Sequence, residues 1–308
     1  MGERTFPVDP FNPGQVFASL GFLEAAEVLE GGAEGGFIWD DEGVRFRITV
    51  PGSADPVALV LEFLARAETK EVIPAGWQPD FGKGDEAERK RADFTRKLAE
   101  GIRVESKTFP APPPDGDTAL PIRLRGAVGD AIREIDLGHW TDGSGRDPFK
   151  LYTGNRSALK IAQAMLHGNP TTRGVEQLLE EEREALLAAP FDVLTPIGGS
   201  FNFDPRGAWN AQNIGFSLNE HDDMQVVQSP VVEILAAWGL ENARPRRDDA
   251  DSRQVRYAVW GAMLPVALVR PALAGEVPPG IPARRFVFRL AKAGQNHIVQ
   301  FAEEDLLS

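Results

Sequence analysis

From Pro13 onward the apolar positions repeat at helical spacing, with Val16, Leu20, Leu23 and Val28 on one side. Asn12-Pro13-Gly14 stands immediately before this run. Asparagine is a favoured N-cap, and proline at the first helical position gives up no hydrogen bond, so the spacing predicts a capped helix over Pro13–Leu29. Gly31, Gly32, Gly35 and Gly36 then mark a turn. Beyond it the period changes to two: Val44, Phe46, Ile48 and Val50 alternate with Arg45, Arg47 and Thr49, which predicts a hairpin of residues 37–39 and 44–50 with one wet face. Pro56 opens a second helix running to Ala67.

Residues 68–120 give the least regular pattern, broken by Pro74, Pro79, Gly82, Gly84 and the Pro-rich run 110–114. Within them, 85–101 predicts a solvated helix whose thin apolar stripe is Phe94 and Leu98 and whose charges can pair along the surface. Residues 120–124 and 132–137 read as paired strands and 140–145 as a turn-rich loop. A helix starts at Asn155 or Ser157 and ends near Gly168, and a further helix covers 171–188 with Glu180-Glu181-Glu182 toward solvent. Residues 201–203 predict a short strand, 231–238 a buried helix closed by Gly239, and 255–260 with 263–269 either two strands or a strand and an apolar helix. The chain then alternates again over 285–290 and 297–301, a terminal β-hairpin. Helices and strands are mixed without regular crossover units, so the expected class is α+β with mainly antiparallel sheets. The organisation expected is an N-terminal α+β region over 1–150 carrying the Pro/Gly-rich insertion at about 68–120, and a C-terminal α+β region over 151–308, or one continuous domain comprising both.

Composition narrows the function classes. The 308 residues are 42% hydrophobic and 26% charged, ordinary values for a globular chain. Without cysteine there is no disulfide, thiolate metal site or cysteine nucleophile. No apolar run spans a bilayer and Met1–Pro7 lacks the pattern of a signal peptide, so a cytoplasmic protein away from membranes is expected. The net charge of −13 argues against a protein that coats nucleic acid by itself. The charge is uneven, however: residues 1–80 hold 5 Lys/Arg against 14 Asp/Glu, and residues 244–292 hold 10 against 4. Such a split fits a subunit that turns one face to a polyanion and another to a basic protein, and it fits an acidic protein with a basic patch equally well.

Few residues carry catalytic spacing. The four histidines are scattered, His221-Asp222-Asp223 point in different directions in any regular element, and neither a nucleophile elbow nor a dinucleotide fingerprint occurs. Gly198-Gly199-Ser200 offers backbone N–H groups to an anion or simply turns the chain. The remaining candidates are polar and cationic. Lys150, Asn155, Arg156 and Lys160 surround a predicted helix start, where backbone N–H groups favour phosphate. Arg244, Arg246, Arg247, Arg253 and Arg256 form a second group, in which Asp248, Asp249 and Asp251 intervene.

Several stretches together resemble one family. They are Asp9-x-x-Asn12-Pro-Gly-Gln15-x-Phe17-Ala18-x-x-Gly21, Phe149-Lys150-x-Tyr152-x-Gly154-Asn155-Arg156-Ser157-Ala158, Phe201-Asn202-Phe203-Asp204 with Trp209, Gly215-Phe216-Ser217, Pro230-x-Val232-Glu233-x-Leu235, and Tyr257-x-Val259-Trp260-x-x-x-Leu264-Pro265. In order and spacing they are similar to the Csb/Csx-type, large-subunit-like proteins of type I-U (I-G) CRISPR systems. The chain departs from that pattern in having no cysteine before Gly21 and in having Arg156 where a second carboxamide is expected. The resemblance implies a non-catalytic subunit of a Cascade surveillance complex, without cofactor or metal, which helps bind crRNA-guided target DNA and docks other Cas proteins, including the helicase-nuclease. It further implies nucleic-acid contacts by Asn12, Gln15, Lys150, Asn155, Arg156, Lys160 and the five arginines at 244–256, with Asn12 also the helix cap and Gln15 expected to reach outward. Two rival readings remain: an enzyme acting on a small anionic or sugar-like ligand through Asp204, His221 or Glu233, and an adaptor that touches only proteins.

Overall fold

The computed structural model describes residues 1–52, 55–74, 81–104, 120–141, 149–152, 157–207, 226–293 and 296–306. The first half holds β1 (Gly2–Pro7), α1 (Pro13–Leu29), β2 (Glu34–Asp40), β3 (Gly43–Val50), α2 (Pro56–Arg66), β4 (Glu68–Pro74), α3 (Asp85–Glu100), β5 (Ile102–Val104), β6 (Ile122–Val128) and β7 (Ala131–Leu137). The second half holds α4 (Ala158–His167), α5 (Val175–Glu181), α6 (Arg183–Ala188), β8 (Thr195–Pro196), β9 (Val227–Gln228), α7 (Pro230–Asn242) and β10 (Arg246–Arg247). It continues through β11 (Gln254–Trp260), β12 (Leu264–Pro265), α8 (Val266–Leu273), β13 (Ala283–Ala293), β14 (Asn296–Val299) and β15 (Glu303–Glu304). The fold is α+β, its sheets are mainly antiparallel, and β13 and β14 form the expected terminal hairpin.

Two helices lie at the centre. Asn12 caps α1, its Oδ1 accepting the Gln15 amide at 3.2 Å, and Pro13 occupies the first turn. The one-sided stripe expected of α1 is corrected by the structure: the helix is buried on every side from Pro13 to Ala26, and Val28 is exposed. The cause is α7, which is also buried around nearly its whole circumference and lies against α1. Glycines set their separation. A Cβ on Gly21 would fall 2.0 Å from the Leu235 carbonyl oxygen, and one on Gly239 would fall 2.2 Å from that of Phe17. Gly239 therefore does not end the helix, as its sequence position suggested; α7 continues through it to Asn242, and the glycine is there for close backbone approach.

Sheets enclose this pair. One has the strand order β1-β3-β2-β12, so a strand of the C-terminal half completes a sheet of the N-terminal half. A second runs β10-β11-β13-β14 with β15 also on β13, and a third runs β5-β4-β6-β7. The third sheet corrects the reading of residues 68–120, since Glu68–Pro74 is a strand, antiparallel to β6 and parallel to β5. Two further expectations change. The helix expected over 171–188 is broken at Glu182 into α5 and α6. Residues 201–203 are not a strand but an irregular segment in which Asn202 has φ of 68°. One apolar core runs through both halves, from Phe6 and Phe17 to Trp238, Tyr257 and Phe288.

Candidate nucleic-acid interface

The described parts of five of the segments that carried the family resemblance meet at the start of α1, while residues 153–156, Trp209 and residues 215–217 lie outside the described residues. The Asn12 side chain, besides capping, donates through Nδ2 to Asp204 Oδ1 at 3.1 Å. Asp204 also accepts from Arg206 Nε at 2.9 Å, from Arg206 Nη2 at 2.7 Å and from the Ser229 amide at 3.1 Å. Ser229 in turn caps α7. One turn into α7, Glu233 Oε1 accepts the amides of Phe203 and Asp204 at 3.0 and 2.8 Å. Tyr257 donates its hydroxyl to the Pro10 carbonyl at 2.6 Å, and the Phe17 ring lies edge-on to Phe149 and Tyr257. Residues spread over some 250 positions of sequence thus build one polar knot around a helix N-terminus, whose bare amides favour the Asp204 carboxylate beside them.

Burial decides what this knot can do. Asn12, Asp204 and Glu233 are at most 1% exposed. Desolvation raises the Glu233 pKa to about 8, against the pull of the backbone of Asp204, Phe203 and Phe201 and with the Asp204 charge adding to the rise. Its Oε2 finds no hydrogen-bond partner among the described residues, which suits a protonated acid better than a carboxylate. Asp204 and Glu233, two of the residues named in the enzyme reading, are therefore brought together, and both are buried among the described residues. His221 lies outside the described residues. Among the described residues no three His, Asp or Glu side chains group as a metal site. Gln15 does not reach outward: it is 4% exposed and its Oε1 accepts the Asp9 amide at 2.7 Å. With Asn12 it is an internal group of the fold.

The cationic candidates lie elsewhere. Asn155 and Arg156 fall outside the described residues. Ser157 caps α4, accepting the Lys160 amide at 3.2 Å, and Lys160 is exposed in the first turn. Lys150 is half-buried in the segment 149–152, where the Leu151 carbonyl accepts the His297 amide at 2.9 Å. The five arginines do not form one patch. Arg256 is held between Asp248 and Asp305, and its guanidinium keeps the Asp248 carboxyl at about 2. Arg247 donates to the Ser252 carbonyl, and Arg246, its neighbour in β10, is exposed opposite Arg256. Arg244 lines a groove of about 410 Å³ with Glu134, Asp136 and Glu241 over Trp238. Arg253 is exposed near His297.

No family model, curated protein or solved structure matches the chain.

Sequence reasoning did not bring Lys292 and His297 together. The register of β13 and β14 sets them directly opposite each other, and Arg253 joins them because its carbonyl accepts the Leu290 amide at 2.9 Å. Burial lowers the His297 pKa, and the charges of Lys292 and Arg253 lower it further. Two candidate groups far apart in sequence, around Lys150 and around Arg253, thus come to the same end of the terminal hairpin. The signal was the hairpin itself, whose register was not carried through to its tip.

Proposed function

We propose that the chain is a non-catalytic subunit of a type I CRISPR surveillance complex, contributing to crRNA-guided binding of target DNA and to docking of partner Cas proteins. One observation carries the reading: most of the stretches that resemble the family are the parts that hold the fold together at the start of α1. Residues 9–21 bond to 201–204 through Asn12 and Asp204, and to 257–260 through Pro10 and Tyr257. They pack on 230–239 through Gly21 and Leu235, and on 149–152 through Phe17 and Phe149. Chance likenesses scattered along a chain have no reason to converge in space; residues that specify one fold do. The convergence supports likeness of the whole fold to that family rather than of a single motif. A type I complex asks of such a subunit shape, docking surface and cationic contacts to backbone phosphates, and no active site.

The test is co-purification. Expressed with an affinity tag together with the genes that flank its own, the full chain is expected to bring down partner subunits and an RNA carrying repeat-derived sequence. Recovery of the chain alone, free of RNA and of partners, would overturn the reading.

A further inference from the structure

We propose that the outer edge of β7 docks an extended segment of a partner protein as an added strand, and that this segment alternates basic and apolar residues. The proposal goes beyond the reading above and does not rest on it, since it concerns how this surface binds and not which complex the partner belongs to.

β7 ends the third sheet. It pairs with β6 from Ala131 to Leu137, and among the described residues no strand lies on its other side. Against that side lies the groove of about 410 Å³, lined by Glu134, Ile135 and Asp136 of β7. Successive side chains of a strand point to opposite faces, so a hollow touching three in a row follows the strand's edge rather than one face. The far wall is Trp238 and Glu241 of α7 with Val28 of α1, which is 39% exposed. An edge strand presents N–H and C=O groups that a further strand can bond at a spacing of about 4.8 Å. Among the described residues the β7 backbone bonds to β6 alone.

The side chains on either face of this edge name the occupant. On one face Arg123 of β6 donates to Asp136 at 2.6 and 2.8 Å, and Arg125 to Glu134 at 3.1 Å. Among the described residues these two carboxylates meet cations from β6 only. Lysine or arginine on a strand added beyond β7 extends the same cross-strand ladder of alternating charge. The charged lining of the groove agrees in sign, with Glu134, Asp136 and Glu241 against Arg244 among the described residues. On the other face the added strand's alternate side chains meet Ile135 and the wall of Trp238 and Val28, which calls for apolar residues there. A second copy of the chain fits poorly. Antiparallel pairing of β7 with itself about a two-fold axis, centred on residue 133, 134 or 135, opposes Arg133 to Arg133, Glu134 to Glu134, or Glu134 to Asp136. Charge at the edge thus discourages unselective pairing and leaves the edge to a strand of matching sign.

The purified full chain is titrated with a labelled peptide of alternating lysine and valine, seven residues long like β7. The controls are the same residues in an order that breaks the alternation, glutamate in place of lysine, and the alternating peptide N-methylated at its backbone amides. Hydrogen exchange of residues 131–137 is followed with and without each peptide. The alternating peptide is expected to bind and to slow exchange in that segment, while each control binds weaker by about tenfold or more. Glu134→Lys, at a half-exposed side chain, is expected to lower affinity for the lysine peptide by about three- to tenfold. Glu42→Lys makes the same change of net charge at an exposed turn between β2 and β3 and is expected to leave affinity unaltered. Melting temperatures check that both variants fold, and Glu134→Gln replaces the reversal if it does not. Absence of binding, equal binding of the scrambled or N-methylated peptide, unchanged exchange in 131–137, or an equal effect of the variants at 134 and 42 each overturns the proposal. Protection of 131–137 that rises with protein concentration in the absence of peptide gives the edge to a second copy and overturns it as well.

Discussion

At the scale of single residues the polar knot at the start of α1 is an arrangement in which two buried carboxyl groups are hydrogen-bonded unequally. Asp204 is surrounded by donors from Asn12, Arg206 and Ser229, whereas Glu233 has two amides on one oxygen and none on the other. The consequence is measurable. With a folded pKa of about 8 against an ordinary 4.5, Glu233 keeps its proton in the folded chain where the unfolded chain releases it. Its contribution is fully present below pH 4.5 and is lost as pH rises through about 8. Glu233→Gln mimics the protonated acid at all pH values. Relative to wild type the variant is expected to gain about 1.4 kcal/mol per pH unit between roughly pH 5 and 8. Urea unfolding of both proteins across that range measures the difference; a difference that stays flat would show that Glu233 does not hold a proton. None of this was legible in the sequence, where Asp204 and Glu233 stood in two separate motifs. Their pairing depends on Asn202 turning the backbone with a positive φ, a choice made by tertiary context rather than by local pattern.

At the scale of elements the decisive contact is the backbone-close packing of α1 on α7. Alanine normally gains about 1 kcal/mol over glycine inside a helix. At Gly21 and Gly239 that gain is outweighed, because the added methyl meets carbonyl oxygens of the opposing helix at 2.0 and 2.2 Å, which no side-chain rotation relieves. Gly21→Ala and Gly239→Ala are each expected to destabilise by about 3 kcal/mol or more. The readout is a lower denaturation midpoint at unchanged m-value; stability equal to wild type would mean that the helices do not approach so closely. Element boundaries were legible where period and cap agreed, as at Pro13–Leu29, Gly43–Val50 and the terminal hairpin. They were not where one residue type has two uses. Gly239 read as a helix stop because that is the commoner reason for such a glycine, and Glu68–Pro74 was missed because its Glu-Thr-Lys-Glu start lacks the apolar alternation of a strand.

At the scale of the whole molecule, the two regions divided at residue 150 are not separable by contact. β12 pairs with β2, Trp260 donates its indole N–H to the Gly35 carbonyl at 3.2 Å, and Arg270 grips Glu24 at 2.7 and 2.8 Å. Calorimetry is therefore expected to show a single transition with van't Hoff and calorimetric enthalpies in agreement; two resolved transitions would restore two domains. The α+β class was legible from the mixture of periods, while the meeting of residues 149–152 with β14 was not, because it depends on a long-range pairing that no local window contains. The same long reach bears on how the protein is made. α1 is buried on all sides, and much of its cover comes from α7, about 200 residues further along the chain, a delay on the order of 10–40 s at ordinary rates of synthesis. Throughout that interval the first helix has emerged from the ribosome with only β1–β3 and α2 to cover it, and the face that α7 takes in the finished fold is bare. The nascent protein must then be shielded by a chaperone or held against the ribosome surface, and its yield in a cell depends on that protection as much as on the stability of the finished fold.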